Sequence, residues 1–429
     1  MSDSEFITCE LTVIGTGMAG MAAALFAANR GISTVQVGRT GEIIFASGVF
    51  DLMGVHPIAD KHIWQNPWAG IDAVVRDIPK HPYARLKKED IRSAFEEFLS
   101  FLQEAGLPYK RRMELNAEVM TAVGTIKQTY CVPETMWQGV AILAAKSPCV
   151  LIDIQGLKGF SARQIATTFN PVWPDLRTAR IVFPGTEHRS EVFAEQMAFD
   201  LELPQTREKF ARLLKPLVKN VNAIGMPAIY GLYRTAEVFS DIEKRIGIPA
   251  FEISTMPPSI PGLRLKHVFE QNLPARGVRL FLQNQVRDAH QESGGDFVLK
   301  VGNKQVEHTI RTKGVILSSG RFLGRGLHAD RKRIRETIFD LPVYQPEERK
   351  AWHRDDFLDP RGHPINRAGL EIDDDFHPLD SSGRPAFQTL FAAGSILAHQ
   401  DWMRMKCGSG LAIGTAFGAV QAFIRQYRR

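Results

Sequence analysis

Cysteine is scarce in this chain of 429 residues: there are four, Cys9, Cys131, Cys149 and Cys407, and none forms a Cys-x-x-Cys pair. That spacing offers no ligand set for a structural zinc or for an iron–sulfur cluster held by this chain alone. It offers no disulfide framework either. Long apolar runs are also missing, since no stretch nears the roughly 18 residues that a membrane-spanning helix needs. No basic segment precedes an apolar core at the start, so the expected setting is the cytoplasm. The sharpest basic run, Arg331-Lys332-Arg333-Ile334-Arg335, has no interleaved aromatics. It reads as solvated surface, and a nucleic-acid partner is not expected. Internal repeats and low-complexity tracts are absent as well.

What is present fits a globular protein: 44% hydrophobic and 23% charged residues. The length favours two domains. A net charge of +6 suits an anionic substrate, an acidic partner or an anionic membrane surface.

Hydrophobic patterning organises the chain. Leu11 to Ile14 reads as a buried parallel strand, followed by a glycine turn and an alanine-rich helix from Met18 to Asn29. Gly31 stops that helix, and Thr34 to Val37 is the next strand. From Asp51 to Trp137, prolines and tryptophans suggest irregular structure around one helix, Lys88 to Ala105. Between Val150 and Gly231, strands alternate with helices as a second α/β unit. The last third returns to strands ending in glycine turns, at Gly314–Gly320 and Leu390–Ser395, and closes on a helix from Leu411 to Tyr427. The expected fold is therefore α/β: a Rossmann-like FAD/NAD(P)-binding domain with a parallel sheet, built from residues 1–56 and 255–429, and a second α/β domain inserted at 57–254.

The motif Gly15-x-Gly17-x-x-Gly20 lies between a strand and a helix, the context that gives it meaning. Gly15 permits the turn, Gly17 lets backbone approach a phosphate, and Gly20 lets helix and strand pack closely. The phosphate then meets the helix N-terminus at Met18 and Ala19. A dinucleotide's adenosine ribose usually needs a carboxylate after the second strand. Here Gly38 and Arg39 follow Val37, and no carboxylate appears before Glu42. Arg39 would suit a phosphate. FMN is therefore expected, with FAD, its ribose on a displaced Glu42, as the alternative. Ser47 and Gly48 would lie beside a flat ring, Ser47 as a donor. Near the C-terminus, Gly320, Gly394 and Ser395 end strands, and Gly408, Ser409, Gly410 and Leu411 open the last helix. A helix N-terminus there would stabilise negative charge on reduced flavin.

Taken together, these segments resemble the B subunit of anaerobic glycerol-3-phosphate dehydrogenase. The resemblance rests on the Gly15–Gly20 turn, Ser47-Gly48-x-x-Asp51-Leu52, His81-Pro82-Tyr83, Met226-Pro227-Ala228, Thr255-Met256-Pro257-Pro258-Ser259 and Gly262-x-Arg264-Leu265. It continues through Ser319-Gly320-x-Phe322 and Phe391–Ser395 to Cys407-Gly408-Ser409-Gly410. It implies an FMN-binding flavoprotein subunit that works with a sister FAD-containing catalytic subunit. An iron–sulfur subunit would anchor both at the cytoplasmic face of the inner membrane. The implied reaction takes glycerol 3-phosphate to dihydroxyacetone phosphate and passes electrons to quinone. The chain departs from the family pattern at Trp402-Met403-Arg404-Met405-Lys406, where glycines are expected. The competing readings are an independent fumarate-reductase-like flavin oxidoreductase and a non-catalytic assembly subunit.

Oxidising a secondary alcohol with flavin requires a base for the hydroxyl proton and, for a phosphate substrate, cationic clamps. His399, His353 and His56 are the candidate bases; Arg404, Arg264, Arg321 and Arg325 are the candidate clamps. His399, His353 and Arg404 are the expected catalytic set. Asp355-Asp356 and Asp373-Asp374-Asp375 read as solvated turns.

Overall fold

The computed structural model describes residues 5–39 and 43–427. It divides into two compact units, one made of residues 1–43, 51–98 and 269–429, the other of 44–50 and 99–268. The sequence-based bounds differ from this division. Residues 57–98 pack with the first unit and 255–268 with the second, because core contacts, not chain breaks, set the division.

The first unit is built on the strand Glu5–Ile14, which pairs in parallel with Thr34–Gly38 on one side and His308–Leu317 on the other. Arg279–Leu282 extends the sheet beyond Thr34–Gly38, also in parallel. The long strand His308–Leu317 divides its free edge. Its first half pairs antiparallel with the hairpin Gln285–Gln291 and Phe297–Gly302, and its last residues pair in parallel with Leu390–Ala392. The expected apolar run proves to be the buried end of a longer strand: Leu11 and Val13 are fully enclosed. Burial on both faces is what a continuous apolar run dictates in a parallel sheet.

Two helices cover this sheet through small residues. Met18–Asn29 buries Ala22, Ala23 and Ala24, and Gly408–Tyr427 buries Gly410, Gly414 and Gly418. Small side chains let the two helices approach, and Phe26 and Phe417 meet edge to face at 5.3 Å. The Pro67–Asp77 helix was not expected. Pro67 begins it at a position where the missing N–H costs nothing, and Asn66 caps it by accepting from Trp68 N and Ala69 N.

The second unit holds a four-stranded parallel sheet in the order Ala250–Ile253, Ala223–Pro227, Cys149–Ile154, Leu176–Ile181. One buried cluster centres on Phe183, Phe210, Val238 and Ile242, another on Leu151, Phe169, Trp173 and Phe251. Here too a helix missing from the sequence reading, Glu134–Ala145, follows a proline at its N-cap.

Candidate functional site

Register brings the ends of several strands of the first unit into line. Ile14 faces both Val37 and Leu317, and Leu317 faces Ala392. The bonds Gly15 N to Val37 O (2.8 Å), Ser318 N to Ile14 O (2.8 Å) and Ala393 N to Leu317 O (3.0 Å) continue this alignment into the turns. Gly15–Gly20, Gly38–Arg39, Ser318–Gly320 and Gly394–Ser395 therefore share one edge of one sheet. The carboxyl edge of a parallel sheet is where such folds hold ligands.

The turn at Gly15 is made by close contact. Gly15 has φ +130, and a Cβ there would overlap the Ser318 carbonyl; one on Gly20 would overlap the Gly15 carbonyl. Gln36 Nε2 donates to Gly15 O at 2.8 Å and Thr16 Oγ1 to Arg39 O at 2.6 Å. Gly17 is the N-cap of the helix and supplies no side chain to it. The first N–H groups of the helix, at Met18, Ala19 and Gly20, have no partner within the helix. Among the described residues no carboxylate bonds to this turn. Ser319 Oγ, at the same edge, is buried and without a partner among them. A backbone cradle closed to any added Cβ, with N–H groups free and a buried hydroxyl beside it, fits the phosphate and ribityl part of a flavin.

The C-terminal residues join this edge. Gly394 has φ +82, and a Cβ on it would overlap that of Ala19 in the first helical turn. Its N–H donates to Thr415 Oγ1 at 2.8 Å. Gly410 N donates to Asp51 O at 2.7 Å, and Tyr83 Oη donates to Leu52 O at 2.5 Å. The turn Gly408, Ser409, Gly410 and Leu411 is thereby fastened to the Asp51–Leu52 segment. The departure at Trp402–Lys406 is a single helical turn, Trp402–Met405, with the Trp402 ring against Gly408. Cys407 is fully buried, and burial pushes its thiol well above the usual range, with Asp51 and Asp401 adding to the effect. It is a neutral thiol without redox readiness.

Other expected residues lie elsewhere or have other partners. Ser47 and Gly48 belong to the second unit, where the Ser47 and Gly48 carbonyls accept from Ser254 and, at 2.7 Å, from Tyr109 Oη. Arg39 is exposed, and among the described residues its guanidinium meets only Asn303 Oδ1, at 3.5 Å. Glu42 lies outside the described residues.

The arginine clamps need correction. Arg264 is buried in the second unit and bidentate with Glu252, at 2.6 and 2.8 Å. Arg321 donates to the carbonyls of Ser395 (2.6 Å), Leu397 (3.1 Å), Gln400 (2.9 Å) and Asn366. Burial brings its pKa down to about 10. Both guanidinium groups hold the chain itself and are closed to an outside phosphate. Arg404 pairs with Asp401 at 3.3 Å, and Arg325 is exposed in a left-handed turn.

Of the histidines, His353 is exposed beside His363. His56 Nε2 bonds Asp77 Oδ2 at 2.9 Å. His399 has the fullest set of side-chain partners. Its Nε2 meets Glu371 Oε1 at 2.7 Å, Lys80 Nζ holds the same oxygen at 2.9 Å, and the Tyr344 ring lies 4.1 Å away. Burial lowers the His399 pKa despite Glu371. The imidazole is therefore neutral at neutral pH. With its Nε2 proton on Glu371, Nδ1 is left as the acceptor. Glu371, Thr415 and Tyr83 carry no local signal as partners, because each acts from more than twenty residues away. Asp373 also departs from expectation: it bonds His377 Nδ1 at 2.9 Å instead of facing water.

Among the described residues no group of His, Cys, Asp and Glu would hold a metal ion, and no helix is long and apolar enough to cross a membrane.

Known proteins resemble this chain along most of its length. The model of the FAD binding domain family matches residues 10–411. A probable B subunit of anaerobic glycerol-3-phosphate dehydrogenase from Halobacterium salinarum is 29% identical over 426 residues, 96% of this chain and 97% of that one. The B subunit of the anaerobic glycerol-3-phosphate dehydrogenase of Vibrio vulnificus is 26% identical, over 96% of this chain and 95% of its own. A solved structure, 3-ketosteroid-delta4-(5alpha)-dehydrogenase from Rhodococcus jostii, is 12% identical with a TM-score of 0.40, covering 98% of this chain and 97% of that chain. The chain belongs to the FAD binding domain family, and it resembles the B subunits along nearly its whole length.

Proposed function

We propose that this chain is the flavin-binding B subunit of a glycerol-3-phosphate dehydrogenase complex that delivers electrons to quinone. The observation that carries the reading is the joint one: B subunits align with 96% of the chain, and the first unit's strand edge offers a flavin cradle. Bound flavin supplies a two-electron acceptor for a carbon-bound hydride. The chain's own residues hold it. Met18, Ala19 and Gly20 present N–H groups to its phosphate, and the Gly408–Gly410 turn presents a helix N-terminus to the ring. His399 is the candidate base, with Glu371 as the positioning residue that sets its tautomer. We propose FMN as the flavin, because no carboxylate follows Val37 at Gly38 or Arg39; the family model supports a flavin at the level of FAD. The partners in this reading are a sister FAD-containing subunit and an iron–sulfur subunit that anchors both at the cytoplasmic face of the inner membrane.

Two measurements test it. Denaturing the purified protein and separating the released flavin by chromatography should give FMN; FAD would overturn that choice. Glycerol-3-phosphate-dependent dye reduction should require both this chain and its sister subunit. Full activity from the sister alone would remove this chain from the electron path.

A further inference from the structure

A cavity of about 230 Å³ in the first unit is walled by His56, Ile78, Met405 and three arginines, Arg354, Arg361 and Arg367. Among the described residues no carboxylate lines it. The arginines differ in what they hold. Arg361 is bidentate with Asp359, at 2.9 and 2.6 Å. Arg354 gives Nε to the Gly362 carbonyl at 3.0 Å and leaves its terminal nitrogens open. Arg367 makes no side-chain hydrogen bond or ion pair among the described residues. Asp359 pairs with Arg361 and is also within electrostatic reach of Arg354, so one carboxylate stands against three guanidinium groups, and Arg367 makes no ion pair among the described residues. Apart from His56, the rest of the lining is apolar: Pro57, Ile58, Ala59, Ile78 and Met405.

We propose that this cavity binds a small phosphate monoester, its dianionic head held by Arg354 and Arg367 and its short carbon chain lying against Ile78 and Met405. Guanidinium forks match phosphate oxygens, and two charges match a dianion. A dicarboxylate would place its second charge on the apolar lining, where desolvation opposes it. Inorganic phosphate would leave that lining uncovered. The position also fits the proposed chemistry. Met405 lies three residues before Gly408, at the C-terminal turn, and its carbonyl accepts from Gly54 N and Val55 N. The Arg367 carbonyl accepts from His399 N at 3.0 Å, and the Arg367 charge contributes to the lowered pKa of His399. None of the clamps expected from the sequence belongs to this set. The identity of the carbon chain as glycerol rests on the function proposed above; the preference for a phosphate monoester does not.

The test is calorimetry on the purified, flavin-loaded protein with glycerol 3-phosphate, inorganic phosphate, glycerol and succinate. Glycerol 3-phosphate should bind most tightly and glycerol not at all. Arg367→Gln should weaken the phosphate ester by about tenfold, as expected for one charge-assisted contact, with flavin content unchanged. Arg354→Lys keeps the charge, loses the fork and should give a smaller loss. Affinities within twofold of the parent in both variants, equal binding of succinate, or no binding of any phosphate compound would each overturn the site. Loss of ester binding in the variants, with no glycerol-3-phosphate-dependent dye reduction in the assembled complex, would sink the proposed substrate and leave the site standing. Dye reduction with an unchanged KM in Arg367→Gln would do the reverse.

Discussion

After the Ala223–Pro227 strand of the second unit, five backbone N–H groups converge on two carboxylates. Ile229 and Tyr230 donate to Glu252 Oε1 at 2.9 and 2.7 Å. Leu232, Tyr233 and Arg234 donate to Glu202 Oε1 at 2.8, 2.9 and 3.2 Å. The first unit also ends a parallel strand in a tight turn, at Gly15, but no side-chain anion meets it among the described residues. Strand-end turns in α/β units are anion sites by construction. The second unit fills its own with glutamates and becomes scaffold. The first leaves its turn open, and glycine keeps side chains out of the way.

The largest expected effect breaks the filled side of this comparison. Glu252→Gln leaves the buried Arg264 guanidinium without its counter-charge, and the second unit should lose about 3–5 kcal/mol. Urea denaturation followed by circular dichroism measures it, and a loss under about 1 kcal/mol would contradict the role given to the pair. Next is the open side. Gly15→Ala forces a Cβ into the Ser318 carbonyl at a φ that alanine resists. Flavin affinity should fall about 100-fold, or about 2.7 kcal/mol. Flavin absorbance per chain reads this directly, and full occupancy would remove the turn from the site.

Acid should separate the two regions further. Burial pushes the Glu252 carboxyl up, but the Arg264 charge and the bonds it accepts outweigh this and lower its pKa below 4.5. Glu202 follows the same pattern, lowered by backbone N–H groups. A depressed carboxylate contributes stability that is complete above its unfolded value and is lost as pH falls through the folded one. The urea midpoint of the second unit should thus hold down to about pH 4.5 and decline below it, and Glu252→Gln should flatten that decline. A midpoint that stays level in acid would refute the carboxylate account. The smallest effect concerns Cys407. All four cysteines are buried, so a thiol reagent at pH 8 should leave the native protein unlabelled and label it only on unfolding. Rapid native labelling of Cys407 would contradict its description as a buried, neutral thiol.

Local features carried much of this into the sequence. The Met18–Asn29 helix runs between its expected ends, because Gly17 and Gly31 bracket an unbroken run of helix formers. The motif Ser47-Gly48-x-x-Asp51-Leu52 was recognisable as well, yet its residues fall in different units: Ser47 to Phe50 in the second, Asp51 and Leu52 in the first. Pro67 misled in the other direction, since a proline that begins a helix looks the same in sequence as one that breaks structure. The arginines were the least legible. Arg264, Arg321 and Arg367 are one residue type with three tasks: a buried pair, a brace on carbonyls and an open fork.

By itself the sequence determined the period of the strands, the glycine turns, the small residues that let two helices approach, and the absence of a carboxylate at Gly38 and Arg39. These are properties of near neighbours, set by backbone sterics and burial. Tertiary structure alone decided which turns stay open to an anion and which are filled by Glu202 or Glu252. It decided too that His399 meets Glu371 while Arg367 keeps its donors. The reason is physical: whether a charged group is available depends on the partners that folding brings to it, and those partners lie tens or hundreds of residues away in the chain.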